Sequence, residues 1–283
     1  MIRGPLLIFV NTPCTSLTVE LLGVPVLCRM ESCDGSAPRE SFNLSIHVTD
    51  ACPGKCKFCC NTSRGLTLDV EKFKRDYVEM TKTVKIDNVF FTGGEPMLYW
   101  DKIKECMSVI DAHCIVHTTG INLEQIDVPV ELSVSRHHWD HKINAEILGM
   151  DHPTDYLQRF KFKDQLHLAC NLIRGYVDDV ADIKQYLDFA IDTGIPLVGF
   201  IGLMPTNDYS RENGVQVPMF NDVDILPYSS FAFRETACRC ANYCYTDGRG
   251  RVQPFYTRHN QCPNINRGGR IIYKNGVQAW YTK

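Results

Sequence analysis

Apolar positions recur along the chain with two alternating periods. Leu44-Ser45-Ile46-His47-Val48-Thr49 is a strand-like run, and behind a cap candidate at Thr67 the residues Val70, Phe73, Tyr77 and Met80 recur at helical spacing. The alternation continues with a strand Asn88–Thr92, a helix near Lys102–Ile110, and strands Cys114–Thr118 and Val130–Ser135. A polar helix around Lys142–Leu148 and a strand Leu166–Ile173 come next. An amphipathic helix then carries Val180, Ile183, Leu187 and Ile191 and is stopped by Gly194, before a last strand Pro196–Ile201. Six strands alternating with helices predict an α/β fold with a parallel sheet. In such folds the chemistry gathers at the carboxyl ends of the strands. Ahead of this series, Leu6–Val10 reads as an edge strand, and Leu17–Leu21 and Val24–Cys28 as two short strands.

Composition supports that picture. A chain of 283 residues with 44% hydrophobic residues can bury one large α/β domain and a small extension. The net charge of −3, without a long basic run, argues against a broad nucleic-acid surface. No apolar run reaches the ~20 residues of a membrane span, and Leu6–Val10 is too short for a signal peptide. The expected location is therefore the reducing cytoplasm, where fourteen cysteines read as metal ligands and core residues rather than disulfides. Cys106, Cys114 and Cys170 sit in apolar segments and read as core, while Cys14, Cys28 and Cys33 are ambiguous.

Two groups of cysteines carry chemistry. Cys52, Cys56 and Cys59 form C-x3-C-x2-C directly after the first core strand. Thiolates select iron–sulfur clusters or zinc. Three of them leave one iron of a 4Fe–4S cluster open to a small molecule, whereas structural zinc wants a fourth ligand that the adjacent Cys60 is badly placed to give. The second group is Cys238, Cys240, Cys244 and Cys262, which could close a 4Fe–4S cluster or bind zinc; C-x-C spacing is uncommon for zinc knuckles. His137, His138, Trp139, Asp140 and His141 form a polar-aromatic knot that reads as a substrate-facing loop or a helix start capped near Asp140. A metal there would need converging ligands and supporting partners. The pair Asp178 and Asp179 suits a helix N-terminus.

The C-x3-C-x2-C loop with Phe58 before its third cysteine, followed at the end of the next strand by Gly93-Gly94-Glu95-Pro96, resembles the radical S-adenosylmethionine (SAM) superfamily. The resemblance implies that the parallel sheet curves into a partial (β/α)6 barrel. It also implies that Cys52, Cys56 and Cys59 hold a 4Fe–4S cluster and that the Gly93–Pro96 edge holds the amino group of SAM. Over roughly residues 43–206 the chain is similar to the branch containing the GTP cyclase of molybdenum-cofactor synthesis, through Thr92–Pro96, Thr118-Thr119-Gly120 and Phe200–Pro205. From that branch Ser135 and Met204 are expected to contact SAM, and Arg136 could meet its carboxylate through a charge-assisted hydrogen bond. The likeness fails where the cyclase recognises GTP: His167 replaces a lysine, and Cys240-Ala241-Asn242-Tyr243-Cys244-Tyr245 replaces a run of arginines. The organisation expected is residues 1–42 as an N-terminal extension, 43–206 as the barrel, and 207–283 as a small Cys-rich extension with an auxiliary cluster.

The family implies that a reduced cluster passes one electron to SAM, releasing methionine and a 5′-deoxyadenosyl radical that abstracts hydrogen from substrate. A flavodoxin- or ferredoxin-type reductant is then needed. Cys60 could donate a hydrogen atom to a substrate radical, or be a small buried filler. Modification of a peptide or protein side chain is the leading expectation, with action on a small molecule or nucleotide as the alternative. A non-catalytic electron carrier would have no use for a SAM-holding edge at Gly93–Pro96.

Overall fold

A computed structural model describes residues 41–61, 65–82, 85–153, 155–227 and 241–259, with the backbone alone at 41–43 and in four further strands near the termini. Two of these, β1 (Thr18–Leu21) and β2 (Val24–Leu27), pair antiparallel in a separate two-stranded sheet. The main series then runs β3 (Ser41–Thr49), α1 (Val70–Thr81), β4 (Lys85–Gly93), α2 (Trp100–Met107), β5 (His113–Thr118) and β6 (Glu131–Ser135). It continues through α3 (His141–Leu148), α4 (Tyr156–Arg159), β7 (Leu166–Leu172), α5 (Val180–Thr193), β8 (Leu197–Gly202) and α6 (Asp208–Asn213). The last strands are β9 (Ile225–Pro227), β10 (Ala241–Thr246), β11 (Val252–Arg258), β12 (Gly269–Tyr273) and β13 (Val277–Tyr281).

Strands β3 to β8 pair in sequence order and all parallel, as the alternating pattern predicts. Among the described residues the sheet has eleven strands in the order β13-β12-β3-β4-β5-β6-β7-β8-β11-β10-β9 and does not close on itself. It is the partial barrel that the resemblance implies. The C-terminal strands extend this sheet at both ends: β11 adds parallel to β8, and β12 adds parallel to β3. A cysteine-based reading of residues 207–283 had no means of finding this, because edge pairing is made by backbone groups.

Period-two alternation divides each barrel strand between two faces. Leu44, Ile46 and Val48 of β3, Val89 and Phe91 of β4, Leu132 and Val134 of β6, and Leu168 and Cys170 of β7 enter one apolar core. Phe73 and Tyr77 of α1, Ile103 of α2, and Ile183, Tyr186 and Leu187 of α5 pack into the same core. The intervening residues face the concave side: His47, Asn88, His117, Glu131, Ser133, Ser135, His167 and Asn171. Cys106 and Cys170 are fully buried core residues, and burial pushes the Cys106 thiol up to about 12.

Helix ends follow local chemistry. Asp69, not Thr67, caps α1, its carboxylate accepting from Lys72 N at 3.0 Å. Thr67 instead bridges Thr49 across the loop. Asp140 caps α3 by accepting from Lys142 N and Ile143 N, and Asp179 caps α5 by accepting from Asp182 N. Gly194 ends α5 in the left-handed region. Among the described residues no helix is long and apolar enough to cross a membrane.

Candidate active site

The C-terminal ends of β3, β4, β5, β6 and β8 converge on one rim, and the loop carrying Cys52, Cys56 and Cys59 lies across it. Asp50, at the root of the loop, is buried and fixed from two sides. His47 Nε2 lies 2.6 Å from one carboxylate oxygen, and Leu66 N donates to the other at 2.9 Å. Farther out, Lys55 N donates to Leu148 O at the end of α3, 2.8 Å. Asn207, which caps α6, donates its side-chain amide to Lys57 O at 3.0 Å and Cys59 O at 3.3 Å. Phe58 is half-buried in a small apolar cluster with Ile147, Ile173 and Leu203, and its ring meets His137 edge-on at 5.1 Å. A loop without regular structure is thereby pinned from three elements.

Within it, Cys52 and Cys59 are exposed and Cys56 half-buried. Burial pushes the Cys56 thiol up to about 12, and the neighbouring Cys59 and Cys52 sulfurs add to the shift. Burial also raises Cys52, partly offset by the hydrogen bond from the Gly54 backbone. Burial and neighbouring sulfurs that oppose ionisation of Cys52 and Cys56 fit a site whose charge balance is completed by cationic iron. Backbone donors are already in place, Asn61 N donating to Cys59 Sγ at 3.3 Å. The residues present therefore fit a three-thiolate 4Fe–4S cluster. Cys60 follows the last ligand and is exposed, so it is not a buried filler.

The Gly93–Pro96 edge is built differently from expectation. A Cβ on Gly93 would lie 2.4 Å from Thr49 O, and one on Gly94 would lie 2.3 Å from Ala51 O. The two glycines let the ends of β3 and β4 approach each other: Gly94 N donates to Thr49 O at 2.6 Å, and Glu95 N to Ala51 O at 2.8 Å. Glu95 is completely buried. Its Oε1 accepts from Met97 N (3.0 Å) and Thr118 Oγ1 (2.6 Å), and its Oε2 from Thr119 N (2.7 Å) and Thr119 Oγ1 (2.5 Å). Four donors from the chain itself occupy the one carboxylate of the edge expected to hold the SAM amino group. Its evident task is to tie the end of β4 to the end of β5, beneath the edge whose backbone lines the rim. The Thr118-Thr119-Gly120 strand end, noticed for resemblance alone, is its partner. Pro96 follows as a buried residue opening a short 3-10 turn, Pro96–Tyr99.

Ser135 ends β6, half-buried on the concave face, and pairs in register with Ala169. Met204 lies just past β8 and is 43% exposed. Arg136 lies elsewhere than expected. One residue beyond Ser135, it falls on the opposite face and is buried on the helix side. There it donates to Trp139 O at 2.9 Å and stacks its guanidinium over Phe189, 4.8 Å from the ring centre. It packs as a cation in the helix layer, not on the concave face where the SAM carboxylate was expected to meet it. His137, by contrast, was grouped with a loose histidine knot and stands at the site. Its Nδ1 accepts from Asn171 N at 3.1 Å, and complete burial lowers it to about 3, so the ring is neutral against Phe58. The signal that would have found it is its place directly beyond the Ser135 strand end. His138 stacks on Trp139 and does not converge with it on a metal.

Beside the end of β5 lies a cavity of about 600 Å³ lined by Gly120, Asn122, Tyr156, Arg159 and Lys161 among others. On the opposite flank, Cys244 of β10 is buried, and burial pushes its thiol up to about 12. Tyr243, its neighbour, stacks on Phe255 in the helix-side core. Cys244 therefore shares the concave face with Pro254, its register partner, and with Tyr256. Cys238, Cys240 and Cys262 lie outside the described residues, as do Cys14, Cys28 and Cys33 and the strand expected at Leu6–Val10.

A parallel, open α/β barrel with a three-cysteine loop at its rim defines a class of iron–sulfur enzyme. The family model for the radical SAM superfamily matches residues 46–213, more than half of the chain, and the chain belongs to that superfamily. It is a radical SAM enzyme, and membership implies a 4Fe–4S cluster and SAM. No curated protein matches the chain. Among solved structures it is similar to SuiB of Streptococcus suis bound to the precursor peptide SuiA (17% identity, 60% of this chain and 41% of that one, TM-score 0.50). It is likewise similar to SuiB bound to S-adenosylmethionine (18%, 60% and 42%, 0.50). A radical SAM methyltransferase from Sphaerobacter thermophilus also matches (17%, 58% and 56%, 0.47). The matched region spans less than half of the SuiB chain.

Proposed function

We propose that this enzyme modifies a side chain of a peptide or protein, using SAM and the Cys52/Cys56/Cys59 cluster to begin the reaction and a second cluster at Cys238, Cys240, Cys244 and Cys262 to pass electrons. The observation that carries the reading is the position of Cys244. It sits on the concave face of a strand that continues the barrel sheet, so a cluster that Cys244 ligates would be directed at the face whose rim carries the SAM motifs. An auxiliary cluster so directed suits electron exchange with a substrate radical held in the barrel. The shared fold with SuiB, solved with a precursor peptide, supports the same reading.

Bound cluster and SAM supply hydrogen-atom abstraction from unactivated C–H bonds. The chain's own part is positional. Glu95 holds the β4 and β5 ends together, and the Gly93–Gly94 backbone fits against the cluster loop. Ser135, at the end of β6, and Met204, just past β8, serve as SAM contacts. Cys60 is exposed beside the loop and is available as a hydrogen donor.

The test is anaerobic co-expression with each short open reading frame flanking the gene, followed by intact-mass measurement of the peptide and assay of 5′-deoxyadenosine. A SAM-dependent mass change in one peptide is expected. 5′-Deoxyadenosine formed with every peptide unchanged, but stimulated by a nucleotide or small metabolite, would favour the small-molecule reading.

A further inference from the structure

The cavity of about 600 Å³ beside the end of β5 is walled by groups that the cluster and SAM motifs do not use. Its apolar lining comes from two segments. Tyr156 and Phe160 belong to α4 and the residue after it, and Leu123 to the loop following β5; all three are buried. The wall requires special backbone. A Cβ on Gly120 would lie 2.6 Å from the Tyr156 ring, and Gly120 takes a φ of +98° that suits glycine. Two residues on, Asn122 stands at φ +55°, the one left-handed residue other than glycine among the described residues. Backbone held in this way clusters at ligand sites, where the surroundings impose it. Tyr156 is itself fixed, with His152 stacked on it at 4.9 Å and its hydroxyl accepting from Arg136 Nη1 at 3.5 Å. The volume lies within the usual range of ligand pockets.

The charged residues lining the cavity are balanced in sign. Asp155 and Arg159 pair with each other, while Glu124 and Lys161 are exposed. That balance separates ligand classes. A phosphate monoester carries about −1.5 to −2 charges and calls for a site of net positive charge, whereas each cation here is offset by a carboxylate. An uncharged apolar group meets no such opposition. It gains by burial against Leu123, Tyr156 and Phe160, about 25 cal/mol per Å², under a rim of mixed polar groups of the kind that surrounds the apolar centre of a protein–peptide contact. The cavity also adjoins the active site along the chain. Gly120 directly follows Thr119, whose amide and hydroxyl hold Glu95 beneath the SAM edge.

We infer that this cavity seats an aromatic or branched apolar side chain of the peptide substrate, at a position other than the residue that reacts. This rests on the peptide reading proposed above. A side chain anchored beside the end of β5 fixes the register of the peptide relative to the barrel mouth. The enzyme then selects which residue reacts by its spacing from an apolar anchor. A nucleotide would find neither the net charge its phosphate needs nor a use for the mixed rim.

The test is methyl NMR of the anaerobically reconstituted protein carrying 13C-labelled isoleucine and leucine methyls. The probe is acetyl-Ser-Phe-Ser-Gly-amide, with acetyl-Ser-Ser-Ser-Gly-amide and GMP as comparators. Expected are saturable shifts of Ile121 and Leu123 with the phenylalanine peptide, no shift of Ile225 on the remote strand β9, and binding of both comparators roughly tenfold or more weaker. Lys161→Trp, at an exposed position whose indole would fill the mouth, should weaken the phenylalanine peptide by a similar factor. Equal affinity for the serine peptide, tighter binding of GMP, an affinity untouched by Lys161→Trp, or no shift at Ile121 and Leu123 overturns the inference. The readout needs no turnover, so it is independent of the co-expression experiment: a peptide that is modified without ever shifting Ile121 and Leu123 overturns this inference and leaves the proposed function standing.

Discussion

The same six strands present two unlike surfaces, and the contrast explains how the molecule divides its tasks. On the helix side, Val89, Phe91, Leu132, Val134, Leu168 and Phe200 are 0% exposed and lie in one apolar core with residues of the helices. On the concave side the intervening positions hold His47, Asn88, Glu131, Ser133, His167 and Asn171, several just as buried but polar. Stability is concentrated on one face and chemistry on the other, because a strand directs neighbouring residues to opposite sides. A change on the helix face should therefore unfold the protein, and a change on the concave face or its rim should disable it while leaving it folded.

The sharpest break is functional. Replacing Cys52, Cys56 and Cys59 together by Ala should abolish 5′-deoxyadenosine formation from SAM and dithionite while the circular dichroism stays that of the native fold. Persistent SAM cleavage would contradict the site. Iron analysis of the same variant tests the second group: about four irons should remain if Cys238, Cys240, Cys244 and Cys262 hold a 4Fe–4S cluster, and zinc in their place would refute it.

On the other face, Phe200→Ala should cost about 3–5 kcal/mol in denaturant-unfolding stability, since the ring is fully buried against Tyr186 and Phe255. Glu95→Gln blurs the distinction, because this rim residue has a structural task. It replaces an all-acceptor carboxylate by a group with two donors facing Thr119 N and the two threonine hydroxyls. A loss on the order of 3 kcal/mol is expected, with SAM affinity reduced only through loosening of the edge. A SAM affinity that falls at unchanged unfolding stability would instead make Glu95 a direct ligand.

A pH titration of stability probes the buried imidazoles. His137 is lowered from 6.5 to about 3 by burial, so between those values the unfolded chain binds a proton that the native protein does not. Stability is then full above pH 6.5 and is lost as pH falls toward 3. Burial lowers His138 and His152 in the same direction. In His137→Phe, which keeps a ring against Phe58, the decline in thermal midpoint below pH 6.5 should be shallower; an unchanged slope would show that His137 does not contribute. The smallest effect is expected from Asn207→Ala. Loss of two hydrogen bonds to the cluster loop should lower stability by about 1–2 kcal/mol and show chiefly as faster loss of iron to a chelator.

Much of the fold was legible because hydrophobic periodicity is a local signal. All six barrel strands and the helices α1, α2, α3 and α5 occur where the pattern places them, with shifts of a few residues at their ends. The cluster loop was legible for a different reason. Its three cysteines lie within eight residues, so the spacing itself encodes the geometry of the ligand set.

The roles of Glu95 and Arg136 were not legible. Each depends on partners distant in sequence: the Thr118 and Thr119 donors on the next strand, and Phe189 on a helix some fifty positions on. Nor could spacing reveal that β11 and β12 return to opposite ends of the barrel sheet, since that pairing uses backbone groups common to every residue. By itself the sequence determined which residues alternate, which cluster and which chemistry they can support. Only the tertiary structure decided which buried polar groups meet, because hydrogen-bond partners on parallel strands are joined across the sheet and not along the chain. Glu131 between His113 and His167 is the case in point: three residues spread over some fifty-five positions become one group when β5, β6 and β7 pair.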